Sequence, residues 1–468
     1  MWTCSLHTLL EKIDSMKKVW QVLQTVAIAL LLVTILIPYP SNFSSYVMGV
    51  SMGISLVYGL GFSRKINRAF GFALPYWVLY MTFFISCLFA DNFSNSFALY
   101  GHYFSLFLIP FFFVGMSPDF FTLKRLRIFG FALVVGVAVG MLWKVGTLMY
   151  IYRHNPILMV YREQGIGVGL RHFYKFYPYF THVRYLRNPA TESLFCNAAL
   201  VLTLISWVKK DVFFDNVCRK GVAGVFIAVI MLNMLLFCTK TAAVGCLLSV
   251  FAVWVYALCK KRFAFVGVWV VIGVLMAGSL TFLRGSSIFS RFETLTRTVV
   301  SFCNSDTRIE NDGSFLPRIY GYKQGWELFK ERPITGWGLE YRKEFFKKYS
   351  QQYSDRLLRR EGITQMLTHP HNQTLAIMDM AGLIGLLALV WVGFTVLRDV
   401  WRRKSLFWWI WFVGLLVFCT IEVLFNHIIG FIYLCGFHGV LFCELTSDFL
   451  HLEDADKPLV PEKSSEGI

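Results

Sequence analysis

About twelve stretches of roughly 20 residues lack a fixed charge near their centres, and this pattern constrains the chain more than any other sequence feature. A helix needs about 20 apolar residues to cross the hydrocarbon core of a bilayer. The pattern therefore predicts an all-α fold, a polytopic membrane bundle of about 12 transmembrane helices. The predicted spans are residues 19–38, 44–62, 71–90, 97–116, 129–151, 191–208, 221–239, 241–259, 264–283, 372–397, 405–424 and 428–446.

The composition agrees with this fold class. Hydrophobic residues make up 56% of the chain and the mean hydropathy is +0.56, which is more apolar surface than a soluble core could bury. The 11 cysteines lie mainly in the apolar stretches, without a C-x-x-C pair or metal-ligand spacing. This distribution is typical of small buried hydrophobic side chains.

Lysine and arginine residues concentrate in alternate connections between the predicted spans, as in cytoplasmic loops. The connections near 38–40, 91–96 and 422–427 contain neither residue type. Twelve spans with both termini in the cytoplasm satisfy this pattern throughout. The formal net charge of +17 therefore reflects mainly membrane topology and does not indicate binding to nucleic acid.

The predicted organisation has four parts. Residues 1–283 hold nine spans and an external segment at 152–190, and residues 284–371 form a large external loop domain. Residues 372–446 hold the last three spans, and residues 447–468 form a polar, disordered cytoplasmic tail. Both external segments contain more basic than acidic residues, which creates a positive field where an anionic substrate could dock.

The external loop contains two predicted helices. Ile319, Tyr322, Trp326 and Phe329 recur at helical spacing, which predicts one apolar face of a helix that Pro333 ends. A turn at 335–338 and a second charged, amphipathic helix at 342–360 follow. The sequence therefore predicts a helical cap over one end of the bundle.

His371 lies where the external loop enters the tenth span, close to His369. A histidine there can have a pKa near operating pH and could take a proton from an incoming hydroxyl. Alternatively, both histidines are interfacial residues or helix-cap hydrogen-bonding groups. A zinc site is disfavoured because no Cys, Asp or Glu triad accompanies them.

Five further residues have both a functional and a structural interpretation. Arg318 could direct a positive charge at a phosphate or be one solvated arginine among many. Lys240, between two apolar spans, could contact a pyrophosphate or reach the membrane interface as an anchor. Glu422 and the nearby Asn426–His427 pair are functional candidates, or they simply pair with a neighbouring basic residue.

The sequence lacks a nucleotide-binding signature and has no cytoplasmic loop long enough for a nucleotide-binding domain. Group transfer on the outer side of a membrane needs a donor that arrives already activated, and a lipid-linked pyrophosphate fits. A transporter or flippase is the alternative from another class. Transporters place broken helices and ionisable residues near the bilayer midplane, whereas the charges here gather at one outer edge.

The stretch from residue 318 to about 390 resembles the superfamily of O-antigen ligases and polymerases, which are bacterial membrane glycosyltransferases. The resembling pattern consists of Arg318, Trp326, Pro333, Gly336, Gly338, His369, His371, Asn372, Gly382 and Gly385. The resemblance implies a fold like that of the C-type lipid-dependent glycosyltransferases, in the bacterial inner membrane, with the active site facing the periplasm. Among its members the chain is most similar to O-antigen ligases.

The resemblance also implies the chemistry: transfer of an undecaprenyl-pyrophosphate-linked glycan to lipid A-core, with inversion and without metal or cofactor. It places the family's catalytic histidine on His371 and its two arginines on Arg318 and position 240, where this chain has Lys240. The predicted substrate-binding residues are Trp326, Gly336, Gly338, His369, Asn372, Arg184 and Arg187. An O-antigen or exopolysaccharide polymerase and a protein O-glycosyltransferase are the nearest alternatives.

Overall fold

A computed structural model describes most of the bundle and cap. The described residues are 66–114, 123–154, 189–209, 217–237, 240–263, 265–267, 315–360, 367–426 and 428–446, with isolated positions between 18 and 53. Regular secondary structure in these residues is entirely helical. The predicted all-α class is therefore confirmed for the described part of the chain.

Thirteen α-helical segments are numbered here in chain order. They are α1 Ile66–Leu88, α2 Phe93–Tyr100, α3 Ser105–Val114, α4 Leu123–His154, α5 Pro189–Lys209, α6 Val217–Phe237, α7 Lys240–Cys259, α8 Phe315–Glu331, α9 Tyr341–Arg360, α10 Gln373–Arg403, α11 Leu406–Ile421, α12 Ile428–Phe431 and α13 Phe437–Thr446. A π-helical turn, Ile432–Gly436, joins α12 to α13.

The predicted spans from 71–90 to 241–259, and from 372–397 onward, all fall on described helices. The spans 19–38, 44–62 and 264–283 lie outside the described residues, apart from scattered helical positions. Within the described part, three helical stretches are long and apolar enough to cross a membrane: Phe70–Leu88, Phe93–Val114 and Gln373–Arg403. The count of about 12 transmembrane helices stays a prediction.

The surface of α10 is apolar where a soluble protein would be polar. Leu387 and Phe394 are 62% and 64% exposed, whereas Thr395 and Asp399 on the other side of the helix are buried. Large exposed apolar surfaces indicate an interface with lipid or protein. Several helices of the bundle are apolar in this way, so the protein is membrane-associated.

Helix α10 is broken at Gly382. The hydropathy pattern had predicted one continuous span over residues 372–397, with Gly382 in its interior. Gly382 has φ 63° and ψ −154°, a backbone conformation that side chains other than glycine rarely adopt. The connection between α8 and α9 fills the break: Leu383 N donates to Pro333 O at 2.7 Å, and Gly338 N donates to Met380 O at 3.0 Å. The backbone groups freed by the break are thus satisfied by the cap.

Two glycines make this close approach possible. A Cβ on Gly336, which has φ 69°, would lie 2.5 Å from the carbonyl carbon of Met380. A Cβ on Gly382 would collide with the carbonyl group of Ile334. The glycine spacing in the sequence therefore reflects contact between the backbone of the cap and the backbone of α10.

The predicted helices of the cap are confirmed, and the residues that α8 buries in the protein lie mainly outside its predicted apolar face. Trp326 is 48% exposed, whereas Gly321, Gln324, Gly325 and Leu328 are buried. The glycines bring α8 close to neighbouring chain: a Cβ on Gly325 would lie 3.1 Å from Pro370 Cβ and 3.2 Å from Asp379 Oδ2. The buried residues of α8 therefore combine glycines, which allow close packing, with Gln324 and Leu328.

An aromatic contact fastens the cap to the bundle. The guanidinium of Arg332 lies 4.0 Å from the ring centroid of Trp337, and the same side chain bonds Asp91 and the Phe89 carbonyl between α1 and α2. The Trp337 indole donates to Leu328 O at 2.9 Å. These contacts connect the turn after α8 to the end of α1.

A second charged network lies at the far end of α10. His438 Nε2 is 3.1 Å from Asp399 Oδ2, His438 Nδ1 is 2.7 Å from the Tyr76 hydroxyl, and Arg398 Nε donates to Asp399 Oδ1 at 2.9 Å. His438, Asp399 and Tyr76 are buried. The sequence pattern had not singled out Asp399, His438 or Tyr76, and the network depends on the packing of α1, α10 and α13.

Candidate active site

Three elements converge at one end of the bundle. Arg318 lies in the first turn of α8, His371 lies two residues before α10, and Glu422 directly follows α11. Arg318 Nη2 donates to Glu422 Oε1 at 2.8 Å, and His371 Nδ1 lies 3.0 Å from Glu422 Oε2. The structure therefore joins two of the three predicted catalytic residues through one carboxylate.

The carboxylate of Glu422 is held in its charged form. Burial alone would raise the pKa of Glu422. The hydrogen bonds and charges of His371 and Arg318 lower the pKa by more than burial raises it, so the pKa lies below its ordinary value. An ionised carboxylate can only accept hydrogen bonds, so His371 Nδ1 must carry a proton. The Glu422 contact therefore leaves Nε2 as the nitrogen of neutral His371 that can accept a proton.

Local geometry fixes the imidazole of His371. Its φ is 49°, a left-handed conformation that is uncommon outside glycine. Its backbone N–H donates to His369 Nδ1 at 3.2 Å, and the two rings have centroids 4.2 Å apart. The predicted role of His369 as a substrate-binding residue stays a prediction, and its observed contact is with His371.

Asn372 caps the start of α10. Its Oδ1 accepts from Leu375 N at 3.0 Å, as expected of an asparagine at an N-cap, and its Nδ2 donates to Thr420 O at 3.1 Å. Tyr322 of α8 donates its hydroxyl proton to the same carbonyl at 2.8 Å. The last turn of α11 therefore ties α8 and α10 together beneath Arg318 and His371.

Glu422 is a member of the cluster that the predicted catalytic and substrate-binding residues did not include. The sequence had marked it as an ionisable group near the end of a span, with pairing to a basic residue as one interpretation. That pairing is confirmed, with Arg318 and with His371. No sequence spacing links these residues, because Glu422 lies on a different helix from either partner.

The other predicted site residues are less closely connected to this cluster. Gly336 and Gly338 contact the α10 backbone and the end of α1, which gives them a packing role. Lys240 is the first residue of α7, but its side chain lies outside what is described. Arg184, Arg187 and His427 also lie outside the described residues. Within the described part, no three His, Cys, Asp or Glu side chains could together hold a metal ion.

These features define an all-helical, membrane-associated protein with an acid–base cluster at one end of its bundle. Residues 223–390 match the model of a protein family described as O-antigen ligase. The chain therefore contains a domain of the O-antigen ligase superfamily, and the resemblance predicted from its sequence is confirmed. No curated protein sequence matches the chain.

The match covers Arg318 and His371 and stops before Glu422. Glycosyl transfer is the general activity of this family, and lipid-linked glycans are its general class of substrate. The match therefore supports glycosyl transfer in these general terms for the region that contains Arg318 and His371.

Proposed function

We propose that the protein is an O-antigen ligase of the bacterial inner membrane, with its active site facing the periplasm. It transfers O-polysaccharide from undecaprenyl pyrophosphate to lipid A-core, without a metal ion and with inversion at the anomeric carbon. The Arg318–Glu422–His371 cluster carries this proposal, because it lies mostly within the O-antigen ligase domain and combines a fixed cation with an oriented imidazole.

In the proposed reaction, the acceptor hydroxyl forms a bond to the anomeric carbon as the bond from that carbon to the diphosphate oxygen breaks. His371 Nε2 takes the hydroxyl proton, and Glu422 stabilises the resulting imidazolium through Nδ1. The electron pair of the broken bond goes to the diphosphate. Arg318 stabilises this growing negative charge more in the transition state than in the ground state, which lowers the barrier.

Lys240 is proposed as the second cation at the diphosphate. A Cβ on Gly245 or on Gly414 would lie 3.9 or 3.6 Å from the Asn197 amide nitrogen, so α5, α7 and α11 meet there. Along α7, Lys240 precedes Gly245 by about 8 Å of helix rise. Along α11, Glu422 follows Gly414 by about 12 Å. The predicted topology makes α7 and α11 antiparallel, which supports a position for Lys240 near the cluster.

The ligase proposal is tested with purified protein, a lipid-linked donor and lipid A-core in the presence of EDTA. We expect product from the wild type and loss of at least about 100-fold in rate for His371→Ala and for Arg318→Ala, since each removes a transition-state interaction. Lys240→Arg should retain activity, and Lys240→Ala should lose most of it. Product formation by folded His371→Ala at the wild-type rate would contradict the base role.

A polymerase is the second candidate, because the O-antigen ligase family domain is compatible with an acceptor that is itself lipid-linked. Deletion of the gene separates the two. Loss of all long glycan from lipopolysaccharide supports the ligase, whereas lipopolysaccharide with only a single attached repeat supports the polymerase. Lipopolysaccharide that still carries full-length glycan would contradict the ligase proposal.

The break in α10 could suggest a transporter, since broken helices line many transport sites. In transporters the unwound backbone faces a substrate cavity. Here the break is occupied by residues 333–338, whose backbone bonds Asp379, Met380 and Leu383. This filled break supports an enzyme with a fixed cap over a transport protein.

A further inference from the structure

Both oxygens of Glu422 are engaged, one by Arg318 and the other by His371. The guanidinium assigned to the donor diphosphate is therefore already bound to an anionic group of the protein. We propose that Arg318 exchanges Glu422 for the donor diphosphate, so that Glu422 competes with the donor for Arg318 and also supports His371. This inference rests on the proposed function of the cluster.

The chemistry of the three groups allows such an exchange. Carboxylate and phosphate oxygens accept from a guanidinium in the same forked geometry, so one can replace the other. The side chains of Arg318, His371 and Glu422 are 21%, 23% and 13% exposed, so Arg318 and His371 are more accessible to an anion from solvent than the carboxylate they share.

Charge balance makes the exchange consequential. With His371 neutral, the positive charge of Arg318 and the negative charge of Glu422 cancel. An incoming diphosphate therefore meets a cluster without net charge, in which the carboxylate of Glu422 repels it. Replacing Glu422 with glutamine keeps the shape of the side chain and leaves a net positive charge, so the anion should bind more tightly. The same change removes the negative charge that stabilises protonated His371, so proton transfer should slow.

Glu422→Gln should therefore have opposite effects on binding and turnover. We expect inorganic pyrophosphate to bind the variant about tenfold more tightly than the wild type in EDTA at fixed ionic strength, which corresponds to about 1.4 kcal/mol. The kcat for glycan transfer should fall by at least about 100-fold, while the KM for the lipid-linked donor falls. A purely structural role would instead weaken binding together with turnover.

Glu327→Gln provides the matched control. Glu327 lies on the same helix as Arg318 and pairs with Lys330, so its replacement changes the net charge equally without touching the cluster. Pyrophosphate affinity and kcat should stay within about twofold of wild type in that variant. In Glu422→Gln/Arg318→Ala the gain in affinity should vanish, which shows that the added binding passes through the guanidinium.

Titration calorimetry with the full chain in nanodiscs reads the binding step without glycan transfer. Unchanged or weaker pyrophosphate binding by folded Glu422→Gln would overturn the exchange, whatever happens to turnover. Tighter, Arg318-dependent binding would support the exchange even if the wild type failed to transfer glycan to any tested acceptor. In that case the proposed ligase reaction would fail while the exchange stood.

Discussion

At the scale of single residues, Glu422 gives the cluster a defined dependence on pH. Its pKa is lower in the folded protein than in the unfolded chain, because contacts with His371 and Arg318 outweigh the effect of burial. A carboxyl group of this kind contributes stability that is complete above its unfolded pKa, about 4.3, and is lost as pH falls through the lower folded value.

We therefore expect acidification below about pH 4 to lower the Tm of the wild type more than that of Glu422→Gln, because the variant has no carboxylate to protonate. Thermal unfolding followed by tryptophan fluorescence between pH 3 and 6 measures the difference. Parallel pH dependence in the two proteins would show that Glu422 contributes no pH-dependent stability. Glu327→Gln, whose target is an exposed surface pair, should follow the wild type.

The same residue shows what the sequence could predict about the site. The resemblance to O-antigen ligases assigned catalytic roles to His371 and Arg318, whereas the residues alone left a structural interpretation open for each. Their common partner could not be derived, since the contact to Glu422 depends on how the end of α11 packs against α8 and α10. Tyr322, which also bonds the end of α11, was predicted only as part of an apolar face.

At the scale of elements, Gly382 is a position where substitution should be strongly damaging. Alanine there would need a rarely populated backbone conformation, and its Cβ would meet the backbone of the cap. We expect Gly382→Ala to lower the free energy of unfolding by about 3 kcal/mol or more, and to reduce activity because the cap shifts.

Gly393→Ala is the control for that measurement. It lies on the same helix, and a Cβ added there has nothing within 4 Å. Its effect on stability should be small or favourable by up to about 1 kcal/mol, because alanine suits a helix better than glycine. Equal destabilisation by the two alanines in a denaturation series would contradict the proposed backbone contact.

Helix boundaries followed well from hydrophobic patterning, whereas helix faces did not. The helices α8 and α9 and the turn between them lie where periodicity, Pro333 and the glycines placed them. The sequence pattern did not predict which residues α8 buries, because periodicity marks large apolar residues and this face combines two glycines and a glutamine with Leu328. The break in α10 was missed because a single glycine within an apolar run leaves hydropathy unchanged.

At the scale of the whole molecule, the bundle has polar clusters at both ends of α10. The Arg318–Glu422–His371 cluster lies at its start, and the Asp399–His438 pair lies near its end. The second cluster connects α1, α10 and α13 through buried side chains, with the Tyr76 hydroxyl completing it. Separate placement of the two clusters suggests separate effects of mutation on activity and on stability.

His438→Ala should therefore destabilise the bundle without acting on the reaction directly. Removing the imidazole leaves the buried Asp399 with Arg398 as its remaining charged partner and leaves Tyr76 without its acceptor, and breaking such a buried pair costs about 3–5 kcal/mol. Denaturation in detergent should show this loss. His102→Ala, at an exposed position, should unfold like the wild type.

Activity per folded molecule distinguishes mutations in the Asp399–His438 pair from mutations in the Arg318–Glu422–His371 cluster. At a temperature where His438→Ala stays folded, its kcat per folded molecule should be within about threefold of wild type, because no described contact links His438 to the glycosyl-transfer cluster. His371→Ala should show the reverse, with near-normal stability and lost turnover, since its side chain is partly exposed and Glu422 keeps Arg318 as a partner. A stable but inactive His438→Ala would instead reveal that the two ends of α10 are coupled during catalysis.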